Sequence, residues 1–164
     1  MRVLVLGGYG LIGLEIIRRL RADGFSVTGL GRTVAKGRRV APDVRWIGAD
    51  IAALATPEAW RPHLVDIDAV VNASGALQDG ARDNLAAVQD EAIRALIAAC
   101  EAMTVSRFIQ ISAPGATADA STVFLRTKAA ADAALRASAL RWTIFKPGLV
   151  ISANAYGGTS LLRM

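Results

Sequence analysis

The stretch that most constrains the fold lies close to the start: Val3-Leu4-Val5-Leu6-Gly7-Gly8-Tyr9-Gly10-Leu11-Ile12-Gly13. A short apolar run breaks into glycines, and the glycines open into a helical pattern, Leu14-Glu15-Ile16-Ile17-Arg18-Arg19-Leu20. A tight turn needs backbone angles that glycine reaches cheaply. An anion can approach bare backbone where a side chain would block it, and the free N–H groups and positive dipole end of a helix then face it. A strand, a glycine turn and a helix in this order form the unit that holds a dinucleotide pyrophosphate. Gly8, Gly10 and Gly13 fit one spacing, G-x-G-x-x-G; Gly7, Gly10 and Gly13 fit another, G-x-x-G-x-x-G. The plainer alternative is a turn that only packs a helix on a sheet, and the strand-before, helix-after context argues against it.

The 164 residues suit one domain, 1–164, with 53% hydrophobic and 20% charged residues, a globular composition. The formal charge of +5 is compatible with nucleic acid, with an anionic cofactor, or with solubility alone. The basic residues are scattered over helices and loops without a stripe interleaved with aromatics, so no nucleic-acid partner is expected. A single cysteine, Cys100, excludes a disulfide framework and a zinc cluster, and reads as a small buried hydrophobe. With His63 as the only histidine, no metal site is expected. The N-terminal apolar run is too short for a signal peptide, and no run approaches a membrane span, so a cytoplasmic setting is expected.

Along the chain, strands are expected at residues 2–6, 25–30, 44–47, 68–72, 106–111 and 141–145. Helices are expected at 10–22, around 57–60, at 82–103 and at 121–138. Residues 33–43, with Lys36, Arg38 and Arg39, read as an exposed basic loop. Alternation of strand and helix predicts an α/β fold, a doubly wound parallel sheet of order 3-2-1-4-5-6. NAD-specific sites place Asp or Glu about 20 residues beyond the glycines. Here the second strand ends Leu30-Gly31-Arg32 with no acid, and Arg32 can pair with a 2′-phosphate. NADP is therefore the expected cofactor, with NAD as the alternative; a solvated basic loop is the plainer reading of this segment.

Several motifs agree in order and spacing: Gly7-x-x-Gly10-x-x-Gly13, Gly48-Ala49-Asp50-Ile51, Asn72-Ala73-Ser74-Gly75, Lys128 in its helix, and Lys146-Pro147-Gly148-Leu149-Val150. On these the chain resembles the short-chain dehydrogenase/reductase superfamily, extended or atypical branch. Within it, the chain is most similar to NAD(P)-binding, epimerase-like proteins related to the Rossmann-fold accessory subunit of respiratory complex I. The resemblance implies that Gly7, Gly10, Leu11, Ile12 and Gly13 hold the pyrophosphate. It implies that Asp50 receives the adenine amino group with the Ile51 backbone beside it, and that Ala73, Ser74 and Gly75 line the cofactor. Pro147 is carried over to the cofactor site and Lys128 to the nicotinamide ribose. It also implies pairing of the helices at 82–103 and 121–138 into a homodimer's four-helix bundle. Taken singly, Asp50 reads equally as a turn cap and Asn72 to Gly75 as an ordinary strand exit.

The family's proton-transfer pair is Tyr-x-x-x-Lys, with a Ser or Thr at the end of the fifth strand. Here the helix reads Phe124-Leu125-Arg126-Thr127-Lys128, so a phenyl ring stands where the phenol belongs. The strand end reads Ile111-Ser112-Ala113, with Ala113 registered at the Ser/Thr position. In extended members a substrate lobe begins after the sixth strand, so this chain is expected to be the cofactor half of a longer protein. Three readings stand open: a cofactor-binding module without reductase chemistry, an oxidoreductase or epimerase drawing its acid from elsewhere, and an interaction module that has lost the cofactor. The glycines argue against the last.

Overall fold

A computed structural model describes residues 1–75 and 84–151. The elements are β1 (Arg2–Leu6), α1 (Leu11–Ala22), β2 (Ser26–Gly31), α2 (Val34–Val40), β3 (Arg45–Gly48), a 3₁₀ turn (Ile51–Ala53), α3 (Pro57–Leu64), β4 (Ala69–Asn72), a π turn (Ala87–Glu91), α4 (Ala92–Ala102), β5 (Arg107–Ile111), α5 (Val123–Ala137) and β6 (Arg141–Phe145). The six strands form one parallel sheet in the order β3-β2-β1-β4-β5-β6. This is the expected order, and it places the chain reversal between β1 and β4, where such sheets bind ligands beyond their carboxyl ends.

Alternation along β1 explains the two layers. Val3 and Val5 point to one face, where they pack with Ile17 of α1 and Val27 of β2. Leu4 and Leu6 point to the other, with Trp60 of α3, Leu96 of α4 and Leu135 of α5. A strand buried on both faces must be apolar throughout, as residues 3–6 are. Among the described residues, no helix is long and apolar enough to cross a membrane.

Two departures from the sequence reading are informative. Residues 33–43 are not all loop, because Val34–Val40 form α2. The helix is held by packing that its own polar sequence does not advertise. A Cβ on Gly37 would collide with the Trp46 ring, so glycine lets α2 lie directly on that indole, and Trp46 Nε1 donates to Ala41 O at 3.0 Å. The first residues of the helix expected over 82–103 lie outside the described residues. Within them Leu85 and Ala86 are helical, and a π turn at Ala87–Glu91 follows before the regular helix resumes. Such turns put an extra residue into the helix and re-aim the side chains around it.

Candidate functional site

The carboxyl ends of β1 to β4 border a cleft of about 190 Å³, lined by Gly7, Tyr9, Gly10, Gly31, Arg32, Ala49, Asp50, Ile51, Ala73, Ser74, Gly75 and Val88. Nine of these were expected or lie inside expected motifs; Tyr9, Gly31 and Val88 were not assigned a role.

The floor is built by the glycine turn. Gly7 has φ +67°, and a Cβ there would sit 2.7 Å from Ala73 O and 2.9 Å from Ser74 Cα. The exits of β1 and β4 therefore touch only because residue 7 has no side chain. Gly10 N donates to Gly7 O at 2.8 Å, closing the turn. A Cβ on Gly13 would collide with Gly7 O, so the third glycine seats α1 against the turn. Gly8 instead backs onto Ile17, Trp46 and Gly29, behind the turn. The operative spacing is thus Gly7-x-x-Gly10-x-x-Gly13. Leu11 and Ile12 form the first turn of α1, whose N-terminus carries no side-chain cap, an arrangement that suits an anion. The absence of Cβ atoms at the turn and the uncapped helix end fit a pyrophosphate.

Asp50 lies beyond β3 and performs the plainer role as well, its Oδ1 accepting from Ala52 N at 3.2 Å as the cap of the 3₁₀ turn. Ile51 beside it is buried. Asn72, at the end of β4, donates from Nδ2 to Gln110 Oε1 at 2.9 Å and accepts from Ser74 N at 3.1 Å through Oδ1. That buried pair shapes residues 73–75. The π turn places Val88 in the cleft and buries Gln89. A Cβ on Gly75 would come within 3.2 Å of Gln89 Oε1 and 3.3 Å of Lys128 Nζ.

Lys128 is 5% exposed, not a solvated helix lysine. Its Nζ donates to Ser74 O and Ile111 O, each at 3.1 Å. Burial pushes its pKa down to about 8, partly opposed by the carboxylate of Asp132 one turn along α5. Asp132 is itself wholly buried; its Oδ2 accepts from Ser112 Oγ at 2.7 Å and lies 3.7 Å from Lys146 Nζ. Ser112 is thereby committed to Asp132. Phe124 stands one turn before Lys128, half-buried, and Ala113 follows Ser112. Pro147 follows β6 and is not part of the cleft wall. Asp132 was missed by the sequence reading, although its place four residues after Lys128 on one helix was a usable signal. Cys100 is buried and its thiol is pushed up to about 12 by that burial, an inert core position.

A family described as NAD(P)H-binding matches residues 7–162. The chain belongs to that family. Among curated relatives it is 28% identical over 148 residues to photosystem II assembly factor Ycf39 of Cyanophora paradoxa, covering 89% of this chain and 44% of that protein. It is 41% identical over 78 residues to the Ycf39 of Synechocystis, 46% of this chain and 23% of that protein. The chain thus spans less than half the length of these curated relatives. Solved structures share the fold. UDP-glucose 4-epimerase of Thermus thermophilus, in complex with NAD, superposes with a TM-score of 0.74 at 21% identity, over 89% of this chain and 54% of that one. Yeast methylglyoxal/isovaleraldehyde reductase Gre2, complexed with NADPH, does so with 0.73 at 17%, over 90% and 58%. The chain thus shares the fold of these epimerase and reductase structures, and NAD and NADPH both occur among them.

Proposed function

We propose that this chain is an NADP(H)-preferring cofactor-binding domain without ordinary short-chain reductase chemistry. The observation that carries the cofactor preference is Arg32 in the cleft wall at the exit of β2, where Gly31 leaves no acid. A guanidinium fork suits a 2′-phosphate, and a carboxylate would suit the ribose diol of NAD. Gly7, Gly10, Leu11, Ile12 and Gly13 hold the pyrophosphate in this reading. Asp50 and Ile51 take the adenine, Ala73 to Gly75 line the adenine ribose and pyrophosphate, Lys128 serves the nicotinamide ribose, and Pro147, in the separate motif after β6, belongs to the cofactor site. The bound nicotinamide would supply hydride transfer. The protein's part in proton transfer is what is weak: Phe124 has no proton to give, Ala113 no hydroxyl, and Ser112 is bonded to Asp132. The relatives of similar sequence are named as assembly factors, a role that accords with binding rather than turnover. Calorimetric titration with NADP⁺ and NAD⁺ tests the preference. Equal affinities, unchanged in Arg32→Ala, would overturn it.

One observation favours the alternative, an oxidoreductase or epimerase-like enzyme with another acid. An amine with a pKa of about 8, as at Lys128, can give up a proton near neutral pH. A turnover screen with NADPH and carbonyl compounds separates the two. The same reading includes self-association through α4 and α5. Ala129, Ala130 and Ala134 are only half-buried by this chain's own core, and Ala133 is exposed. Light scattering that finds a monomer at high concentration removes that element.

A further inference from the structure

Gly31 and Tyr9 fit each other like a slot and its filling. A Cβ on Gly31 would lie 2.8 Å from Tyr9 Cζ and closer still to Cε1. The backbone at Gly31 is not in the left-handed region, so conformation does not demand glycine there; the tyrosine ring does. Gly31 ends β2, the place from which sites selecting an unphosphorylated ribose present their Asp or Glu. Any such side chain would have to displace the ring.

The ring is held from several directions. Tyr9 Oη accepts from Thr33 N at 3.2 Å, Lys36 Nζ stands 5.1 Å from the ring centroid, and the Trp46 ring centroid is 5.9 Å away. Trp46 in turn sits on Gly8, Gly29 and Gly37, so no side chain from those positions competes for its space. With one lone pair engaged by Thr33, the phenol keeps its O–H as a donor. Tyr9, Gly31 and Arg32 share the cleft wall. A donor beside a cation matches an anion, whereas the carboxylate it replaces accepts from a diol.

We propose that Tyr9 is a specificity-determining residue of the cofactor cleft: its ring excludes an acidic side chain at position 31, and its hydroxyl donates to the 2′-phosphate. This deepens, and rests on, the NADP(H) reading above. The test is calorimetric titration of the unmodified chain, Tyr9→Phe, Arg32→Ala and the double variant Tyr9→Ala/Gly31→Asp with NADP⁺, NAD⁺ and 2′,5′-ADP, with thermal melts of each. Tyr9→Phe keeps every ring contact and removes only the hydroxyl. It is expected to weaken NADP⁺ and 2′,5′-ADP about tenfold or more, the value of a hydrogen bond to a charged group, and to leave NAD⁺ unchanged. The double variant, with the slot emptied and an acid supplied, is expected to prefer NAD⁺. If the unmodified chain prefers NADP⁺ and Arg32→Ala abolishes the preference while Tyr9→Phe leaves the ratio of affinities unchanged, the role of Tyr9 is overturned and the cofactor reading stands. If the unmodified chain shows no preference, the cofactor reading falls and this inference with it. Should the double variant not fold, the comparison of Tyr9→Phe with the unmodified chain still decides.

Discussion

Lys128 Nζ donates to Ser74 O at 3.1 Å, across 54 residues of chain. With its second bond to Ile111 O, the amine ties α5 to the carboxyl ends of β4 and β5, the rim on which the cleft depends. The ammonium is therefore both a strut and the nearest cation to Gly75. The cost of keeping it dry appears in its depressed pKa.

That cost has a sign that can be measured. A lysine whose folded pKa is lowered from 10.5 to about 8 binds fewer protons folded than unfolded between those values. Its contribution to stability therefore rises with pH through that window and is flat below it. The whole gain is on the order of 3 kcal/mol. Denaturant unfolding between pH 7 and 10 should show the rise in the native chain and lose it in Lys128→Met. An NMR titration of the lysine side chains should find one amine near 8. Asp132→Asn, by removing the charge that favours the ammonium, should lower it further.

Two glycines with left-handed backbone should respond differently to alanine. Gly24 has φ +83° with nothing within 4 Å of a Cβ, so Gly24→Ala should cost only the conformational penalty, about 1–2 kcal/mol. Gly7 has the same penalty and also meets Ala73 O at 2.7 Å. Gly7→Ala should cost more than Gly24→Ala, and it alone should abolish cofactor binding, since the β1 and β4 exits must part to admit the methyl. Thermal melts with and without NADP⁺ check both statements.

The fold was legible because its signals are local. β1 is apolar on both faces, the glycines follow at once, and each later strand ends in a turn. The strand order then follows from crossover rules. What was not legible came from contacts distant in sequence. α2 is short, basic and contains Gly37, and it reads as loop until Trp46 is seen lying on that glycine. The π turn at Ala87–Glu91 breaks a pattern whose three-and-four spacing looked continuous. Tyr9 stood in plain view inside the glycine motif, but its partners, Gly31 and Thr33, lie on another strand's exit. Asp132 carries no motif; its spacing of four from Lys128 hints at a pair on one helix face, but its contacts with Ser112 and Lys146 come from distant segments.

The chemistry of the cleft gives the last expectation. Phe124 occupies the turn of α5 before Lys128, where a phenol would hand over a proton, and Ala113 follows a serine already bonded to Asp132. Loss of a positioned acid typically costs about 10² to 10⁴ in rate. The purified chain with NADPH and a panel of aldehydes, ketones and quinones should therefore turn over slowly or not at all. Phe124→Tyr restores the phenol, and Ala113→Ser/Phe124→Tyr restores the hydroxyl pair. If the double variant gains rate and the unmodified chain does not, the missing acid was the obstacle. If neither gains, a substrate pocket outside these residues is what turnover lacks. A robust rate in the unmodified chain would instead identify an acid already present. Lys128 would then be the first residue to replace, because among the described residues its amine combines burial at the rim with a pKa lowered to about 8.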